Sequence, residues 1–303
     1  MRVLTFNVQN LRLRRVGGHD RLDGARDFDD PADALDRALD FADRRLTAAV
    51  LARGDADVCL LQEVFDRDSL DWFHDHLLSA AGAAPWPWRA CLPGNDGAGR
   101  DLAVMARRPF AAISHARLLP EEIGLEGAPG TKPGRPVFCR DCLQVELGAL
   151  VLFVVHFKAP WPDPETAWAQ RRAEALAVRR LIARRFDDPA AALWLVAGDL
   201  NDPQHDTERA VAPLLQGFSV DLAARVPEGD RWTWWHEEGR RGNPDALLAS
   251  PALAARWPLA VPQVVRAGMG RDAGGAGARF EDVGARRPHA SDHAALVLDL
   301  PGL

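Results

Sequence analysis

The chain opens on Met1-Arg2-Val3-Leu4-Thr5-Phe6-Asn7-Val8, whose alternation of apolar and polar positions predicts a strand. Leu35, Leu39, Ala42, Leu46 and Val50 then recur at helical spacing after Asp30-Pro31 and before Gly54. That pattern predicts an amphipathic helix with an N-cap, a proline in its first turn and a glycine stop. The short apolar run Val58-Cys59-Leu60-Leu61 predicts a buried strand that presents Gln62-Glu63 at its end. A second helix is expected from Ser69 to Ala80. Strand-like patterns follow at Leu102 to Ala106, Val137 to Leu147 and Leu150 to Phe157. Within the last, Val151-Leu152-Phe153-Val154-Val155 leaves no polar face, so this strand must be covered on both sides. Asp163 to Phe186 reads as a long helix with an arginine-rich outer face, and Leu193 to Ala197 as a buried strand ending at Gly198-Asp199. Later strands are expected at Ala246 to Leu248 and Ala294 to Leu300. Two segments read as surface insertions, each a candidate lid or specificity loop: Asn10 to Asp30, charged and holding Gly17-Gly18, and Ala267 to Pro288, with six glycines and no periodicity.

Composition narrows the class. At 303 residues and 47% hydrophobic, the chain can bury a large core, yet no apolar run approaches the roughly 18 residues a membrane span needs. No repeat and no dividing linker appears, so residues 1–303 are expected to form one domain, with strands and helices in an order that does not alternate strictly. With 37 basic against 43 acidic residues the net charge is −6, so a sequence-independent grip on nucleic acid would require a local basic surface. The first residues lack the pattern of a secretory signal, which makes the cytoplasm the expected location. Four cysteines are too few for a disulfide scaffold, and Cys139-Arg140-Asp141-Cys142 has no second pair to complete a zinc site. On a strand, residues three apart face opposite sides, so these thiols are expected to be buried or incidental.

The polar residues at the strand ends carry the chemistry. Asn7, Glu63, His156, Asp199 with Asn201, and Ser291-Asp292-His293 each end, sit in or precede an apolar strand. Carboxylates, amides and imidazoles gathered at one sheet edge suit a hard divalent cation that also binds phosphate. Each residue alone has an ordinary reading as a cap, a turn or a solvated strand end.

Taken in order, Thr5-Phe6-Asn7, Leu61-Gln62-Glu63, Val155-His156-Phe157-Lys158, Gly198-Asp199-Leu200-Asn201, Pro244-Asp245-Ala246-Leu247-Leu248 and Ser291-Asp292-His293-Ala294 resemble the signature of the endonuclease/exonuclease/phosphatase family, the DNase I-like fold. The resemblance runs from residue 3 to residue 300. It implies an α+β fold, a four-layer α/β/β/α sandwich with the site at one end, and a phosphoesterase dependent on Mg²⁺ or Mn²⁺. It further implies Asn7, Glu63 and Asp292 as metal ligands, and Asp199 and Asn201 as residues that orient the attacking water and hold a phosphoryl oxygen. His293, paired with Asp292 or Asp245, becomes the base or phosphate anchor, and His156 the donor to the departing oxygen or a phosphate contact.

Substrate contacts are expected from Arg140, at a strand position facing the site, from Lys158, which with Lys132 makes up the chain's lysines, and from Trp234. Of ten tryptophans, Trp86, Trp88, Trp161, Trp232, Trp234 and Trp235 fall at or beside expected loops, where they could stack on a base or line a pocket. Arg12, Arg14, Arg15, Arg240, Arg241, Arg286 and Arg287 could form a positive rim. Histidine at position 156 is similar to DNase-like, sphingomyelinase-like and inositol-phosphatase-like members, whereas Thr233-Trp234-Trp235 followed by Pro244-Asp245 looks like an exonuclease III-type stretch. The arginine usual before that aspartate is replaced by Asn243-Pro244. The favoured substrate is therefore a phosphodiester or phosphomonoester of small to medium size, with DNA or RNA as the alternative and a catalytically silent binding module as a third reading. Oligomeric state and the number of metals are not legible.

Overall fold

The computed structural model describes residues 1–27, 37–203, 208–236 and 238–303, and gathers the long strands into two six-stranded sheets. The first contains β1 (Arg2–Leu11), β4 (Val58–Val64), β5 (Trp88–Leu92), β6 (Asp101–Ala106), β15 (Gln263–Val265) and β16 (Ala295–Asp299), in the order β15-β16-β1-β4-β6-β5. The second contains β7 (Ala111–Ser114), β8 (Cys142–Leu147), β9 (Leu150–His156), β10 (Trp194–Asp199), β11 (Val220–Asp221) and β14 (Asp245–Ala249), in the order β11-β14-β10-β9-β8-β7. Two short ribbons lie outside them, β2 (Leu13–Val16) with β3 (His19–Leu22) and β12 (Trp234–Trp235) with β13 (Arg241–Gly242). Each large sheet has one parallel pair at its centre, β1 with β4 and β9 with β10.

The period-two alternation of the strands builds the layers. Val3, Leu60, Val104, Leu152, Leu195 and Leu296 point between the sheets. Their neighbours Leu4, Leu61, Met105 and Val297 point away from the first sheet, and Phe153 and Val196 away from the second. The outer faces need cover, since each such side chain left in water forgoes roughly 1.5–3 kcal/mol. Leu46, Val50 and Leu51 of α1 (Asp40–Gly54) with Leu70 and Phe73 of α2 (Arg67–Phe73) cover the first sheet. Ala173, Val178 and Ile182 of α3 (Pro164–Arg185) cover the second, giving the expected α/β/β/α order.

Helix ends follow their sequence signals. Asp163 accepts the Thr166 N–H and Pro164 occupies the first turn of α3, while Arg184 and Arg185 complement its C-terminal dipole. The Asp66 side chain caps Ser69, so α2 starts two residues before the expected Ser69 and continues as one π-helical turn, His74–Leu78. The expected start of the first helix at Asp30-Pro31, with Leu35, lies outside the described residues. No described helix is long and apolar enough to cross a membrane.

Several expectations need correction. The strand expected over Val137 to Leu147 comprises only β8. Ahead of it the Cys139 N–H goes to Glu174 Oε1 (2.9 Å) and Asp141 Oδ1 accepts the His115 N–H (2.8 Å), so side chains replace ladder bonds. Cys139 and Cys142 therefore do not share a strand, and all four cysteines are free. Of the Asn10 to Asp30 segment, residues 28–30 lie outside the described residues; its first two residues extend β1, its middle forms the β2–β3 ribbon, and buried Arg44 ties Asp23 and Gly24 by their carbonyls at 2.6 and 2.7 Å. Ala267 to Pro288 is irregular as expected but internally fastened, Arg271 Nε donating to Val283 O (2.7 Å) and Arg279 Nε to Met269 O (3.0 Å).

Candidate active site

The two parallel pairs deliver their C-terminal ends to one place. On the first sheet Asn7 stands beside Gln62, and both strands then bulge, the register breaking between Asn7 and Leu11 and between Gln62 and Val64. Gln9 (φ 48°), Asn10 (φ 59°) and Glu63 (φ 67°) occupy the left-handed region, which costs a non-glycine residue roughly 1–2 kcal/mol. Local bonds offset that cost: Gln9 N donates to Asn7 Oδ1 (3.0 Å) and Asn10 N to Glu63 Oε2 (3.0 Å). On the second sheet Asp199 is in register with His156 on one side and Asp245 on the other. Gly198 (φ 135°) permits this approach, because a Cβ there would lie 2.0 Å from Val155 O. Ahead of β16, Ser291 Oγ donates to Asn7 O (2.7 Å) and accepts the His293 N–H (3.0 Å), while the Asp292 N–H goes to Gln9 Oε1 (3.1 Å).

Asp199 Oδ2 is the hub. It accepts from Asn7 Nδ2 at 3.2 Å and faces His156 Nε2 at 3.5 Å and His293 Nε2 at 3.8 Å. Glu63 Oε1 lies 3.3 Å from Asn7 Nδ2 and 3.9 Å from His156 Nε2. His293 Nδ1 bonds Asp245 Oδ2 at 2.8 Å, and Asp292 Oδ2 accepts the Trp234 indole N–H at 2.9 Å. Asn201 turns back at φ 49°, giving its N–H to Asp199 Oδ1 (2.8 Å) and its amide to Phe157 O (3.1 Å). Asn7, Glu63, His156, Asp199, Asn201, Asp245, Asp292, His293 and Trp234 are thus joined in one network.

Electrostatics set the two imidazoles apart. Burial works against charge on His293, but Asp245, Asp292 and Asp199 outweigh it and hold its pKa well above the ordinary value. Burial, with Arg140, His293 and Arg100 adding to it, holds His156 well below that value, so its ring is neutral. Burial pushes the Asp199 carboxyl up to about 6, opposed by His293 and aided by Asp245. Asp292 is likewise pushed up to about 6 by burial, against the His293 charge and with Glu63 adding to the rise.

Four carboxylates, Glu63, Asp199, Asp245 and Asp292, face one imidazolium and the Arg100 guanidinium, 3.8 Å from Glu63 Oε2, so the network is short of positive charge. Ligand atoms of Asp199, Asp245 and His293 lie within 4.8 Å of one another, and Asp245 Oδ1 is buried without a partner among the described residues. The unneutralised carboxylate oxygens of this network, not the cationic His293 ring, fit a divalent cation.

Other expected contacts are turned elsewhere. Arg140 precedes β8 instead of lying on it, and donates to Phe157 O (2.8 Å), His156 O (3.4 Å) and Asp96 Oδ2 (3.1 Å). Lys158 Nζ engages the carbonyls of Ala159 (3.2 Å) and Trp161. Much of the expected arginine rim is neutralised in place: Arg14 pairs with Asp23, Arg15 with Asp20, Arg240 with Glu238, and buried Arg287 with Asp40 and Asp43. Trp86, Trp232 and Trp235 are buried, whereas Trp88 (46%) and Trp161 (72%) are exposed. Sequence reasoning missed Gln9, Asn10 and Arg100, whose Nε donates to Asn10 Oδ1 (2.8 Å) and lies 3.8 Å from Glu63 Oε2. Adjacency to Asn7 was a usable signal for the first two; nothing in the pattern marks Arg100.

The profile of the Endonuclease/Exonuclease/phosphatase family matches residues 4–293. No curated protein sequence matches significantly. Among solved structures, the endonuclease/exonuclease/phosphatase family protein from Leptotrichia buccalis superposes with a TM-score of 0.58 at 13% identity, covering 99% of this chain and 99% of that one. The Neisseria 3' phosphatase NExo, bound to a product DNA hairpin, gives 0.57 at 17% identity and 99% coverage of both chains. TDP2 from D. rerio, complexed with single strand DNA product, gives 0.55 at 19% identity, covering 98% of this chain and 97% of that one. Identities this low show the shared fold alone. The near-complete profile match on this fold shows that the chain belongs to the endonuclease/exonuclease/phosphatase family, whose members are divalent-metal-dependent hydrolases of phosphate esters.

Proposed function

We propose that residues 1–303 act as one catalytic domain, a Mg²⁺-dependent phosphoesterase that cleaves a small to medium phosphodiester or phosphomonoester by direct water attack. The observation that carries this reading is the convergence of Asn7, His156 and His293 on the Asp199 carboxylate at 3.2–3.8 Å, with Glu63 Oε1 beside Asn7 and His156 at 3.3 and 3.9 Å. Glu63, Asn7 and Asp292 would hold the cation, their oxygen donors favouring Mg²⁺ and also accepting Mn²⁺. When bound, the cation supplies charge neutralisation for the phosphoryl oxygens and a more acidic water.

The protein groups then divide the work. Asp199, held ready by Asn7 and the Asn201 N–H, takes a proton from the attacking water as its oxygen bonds phosphorus. His293, kept cationic by Asp245, anchors a phosphoryl oxygen; its charge makes it an anchor and not a base. Asn201 fixes the turn after Asp199 and helps orient the water. Neutral His156 offers its Nε2–H to the departing oxygen, which takes its proton from solvent as the P–O ester bond breaks. Trp234 acts through Asp292, which its indole N–H orients. A cytoplasmic setting is part of this reading.

A nuclease is the second reading, supported by exposed Trp161 as a stacking surface and by the DNA seen with two structural neighbours. Hydrolysis of bis-p-nitrophenyl phosphate, p-nitrophenyl phosphate, a plasmid and an abasic oligonucleotide, compared at 50 and 200 mM salt, separates the two. Ester turnover that barely responds to salt, without nicking, is expected; nicking that collapses with salt would transfer the assignment to a nuclease.

A further inference from the structure

The site as proposed holds too little positive charge for its substrate. Four carboxylates face one imidazolium and one divalent cation, and the sequence's own candidate cations are engaged elsewhere, Arg140 on Asp96 and two carbonyls and Lys158 on the carbonyls of Ala159 and Trp161. A phosphate ester entering such a place meets repulsion unless another donor receives it. We propose that Arg100 is that donor, a catalytic residue that grips the phosphoryl group beside Glu63.

The geometry supplies three supports. Arg100 is anchored by one nitrogen only: Nε donates to Asn10 Oδ1 (2.8 Å) and lies 3.8 Å from Glu63 Oε2. Neither terminal nitrogen has a hydrogen-bond partner among the described residues, and the side chain is 21% exposed, so these donors reach solvent at the site's edge. Because a guanidinium is planar, fixing Nε fixes the direction of the remaining fork, the arrangement that matches two phosphoryl oxygens at once. The loop that carries the residue is itself built. Gly94 N donates to Asp101 Oδ1 (2.8 Å), Ala98 N to Asp96 Oδ1 (2.9 Å) and Gly99 N to Asp96 O (2.9 Å), while Arg140 clasps Asp96 Oδ2 at 3.1 Å. Arg140 thereby becomes a positioning residue for Arg100. The Arg100 charge is also near enough to His156 to help keep that ring neutral.

This inference rests on reading the site as a phosphoesterase, and the test separates the two claims. Calorimetry measures Mg²⁺ binding, then inorganic phosphate binding at saturating Mg²⁺, for the wild type, Arg100→Met and Arg100→Lys, with ester kinetics alongside. A phosphate-gripping Arg100 predicts phosphate bound at least 10-fold more weakly by Arg100→Met, kcat/KM lowered 10- to 100-fold, and an intermediate Arg100→Lys. Mg²⁺ should bind as tightly as before or more tightly, because a cation beside Glu63 has been removed. A residue that merely orients Asn10 and Glu63 predicts the opposite pattern, Mg²⁺ weakened with phosphate affinity at saturating metal unchanged, and that result would overturn the proposal. Unchanged binding of both would overturn it too. A wild type that binds no phosphate and turns over no ester would instead overturn the reading of the site, and this part with it.

Discussion

At the scale of single residues, opposite charge states of two histidines underlie the proposed chemistry. His293 is cationic because three carboxylates surround it, and His156 is neutral because burial and nearby cations disfavour a charge. Replacing Glu63 or His293 by alanine should cut turnover by about 10³-fold or more while leaving the melting temperature within a few degrees, as groups serving chemistry contribute little to the core. Unfolding of either variant where the wild type is stable would mark these residues as structural. A third histidine governs acid stability. His289 donates Nε2–H to Ala25 O (2.7 Å), has no partner for Nδ1 among the described residues, and is pulled down to about 4 by burial, with Arg287 and Arg44 adding to it against the Ala25 carbonyl. Below its ordinary value of about 6.5 the unfolded chain therefore takes up a proton that the folded chain refuses. Stability should fall as pH drops from about 6.5 towards 4, by about 3 kcal/mol from this ring alone. Urea unfolding at pH 7 and 4.5 should show a shallower loss for His289→Gln, and equal losses would refute the assignment. The residue-level site was largely legible, because Asn7, Glu63, Asp199 and His293 lie at the ends of strands whose apolar runs fix their direction. The carbonyl bonds of Arg140 and Lys158 were not legible, because a long side chain on a loop takes whichever carbonyls are nearest, and sequence does not show which those are.

At the scale of elements, two bulged strands and one glycine shape the site. The turns at Gln9, Asn10 and Glu63 lift the first sheet's donors towards the second, and Gly198 lets β10 approach β9 closely enough to place Asp199 beside His156. Gly198→Ala would press a methyl group against Val155 O in a backbone conformation that side chains rarely adopt, so it should destabilise the fold by more than about 2 kcal/mol. Chemical denaturation checks this, and a variant as stable as the wild type would show that the pairing does not need glycine. Central strands such as β9 and β10 were readable because burial on both faces leaves an unbroken apolar run. The strands β5, β7 and β15 were not, being short edge strands half exposed to water, as in the alternating exposure of Ala111–Ser114. Val137 and Phe138 resembled the start of a strand, but they are buried in the core beneath α3 by a loop held through Glu174 and Asp141.

At the scale of the whole molecule, the site belongs to neither sheet alone: Asn7 and Glu63 come from one, His156, Asp199 and Asp245 from the other, and their meeting depends on the layer of side chains between them. Leu152→Ala in that layer should cost roughly 2–5 kcal/mol. Resemblance across six motifs made the four-layer architecture legible before any contact was known, whereas the fastening of the 267–288 loop by its own arginines was not, since it depends on which carbonyls the fold leaves unpaired. The crowding of four carboxylates at the sheet junction predicts that a bound divalent cation adds stability. Added Mg²⁺ should raise the melting temperature of the wild type and have much less effect on Glu63→Ala. The most direct test of the account is ester turnover by chelator-treated protein as Mg²⁺ is restored, with Glu63→Ala measured in parallel. The predicted result is saturable recovery in the wild type and none in the variant; full turnover in excess EDTA, or equal recovery by Glu63→Ala, would contradict it.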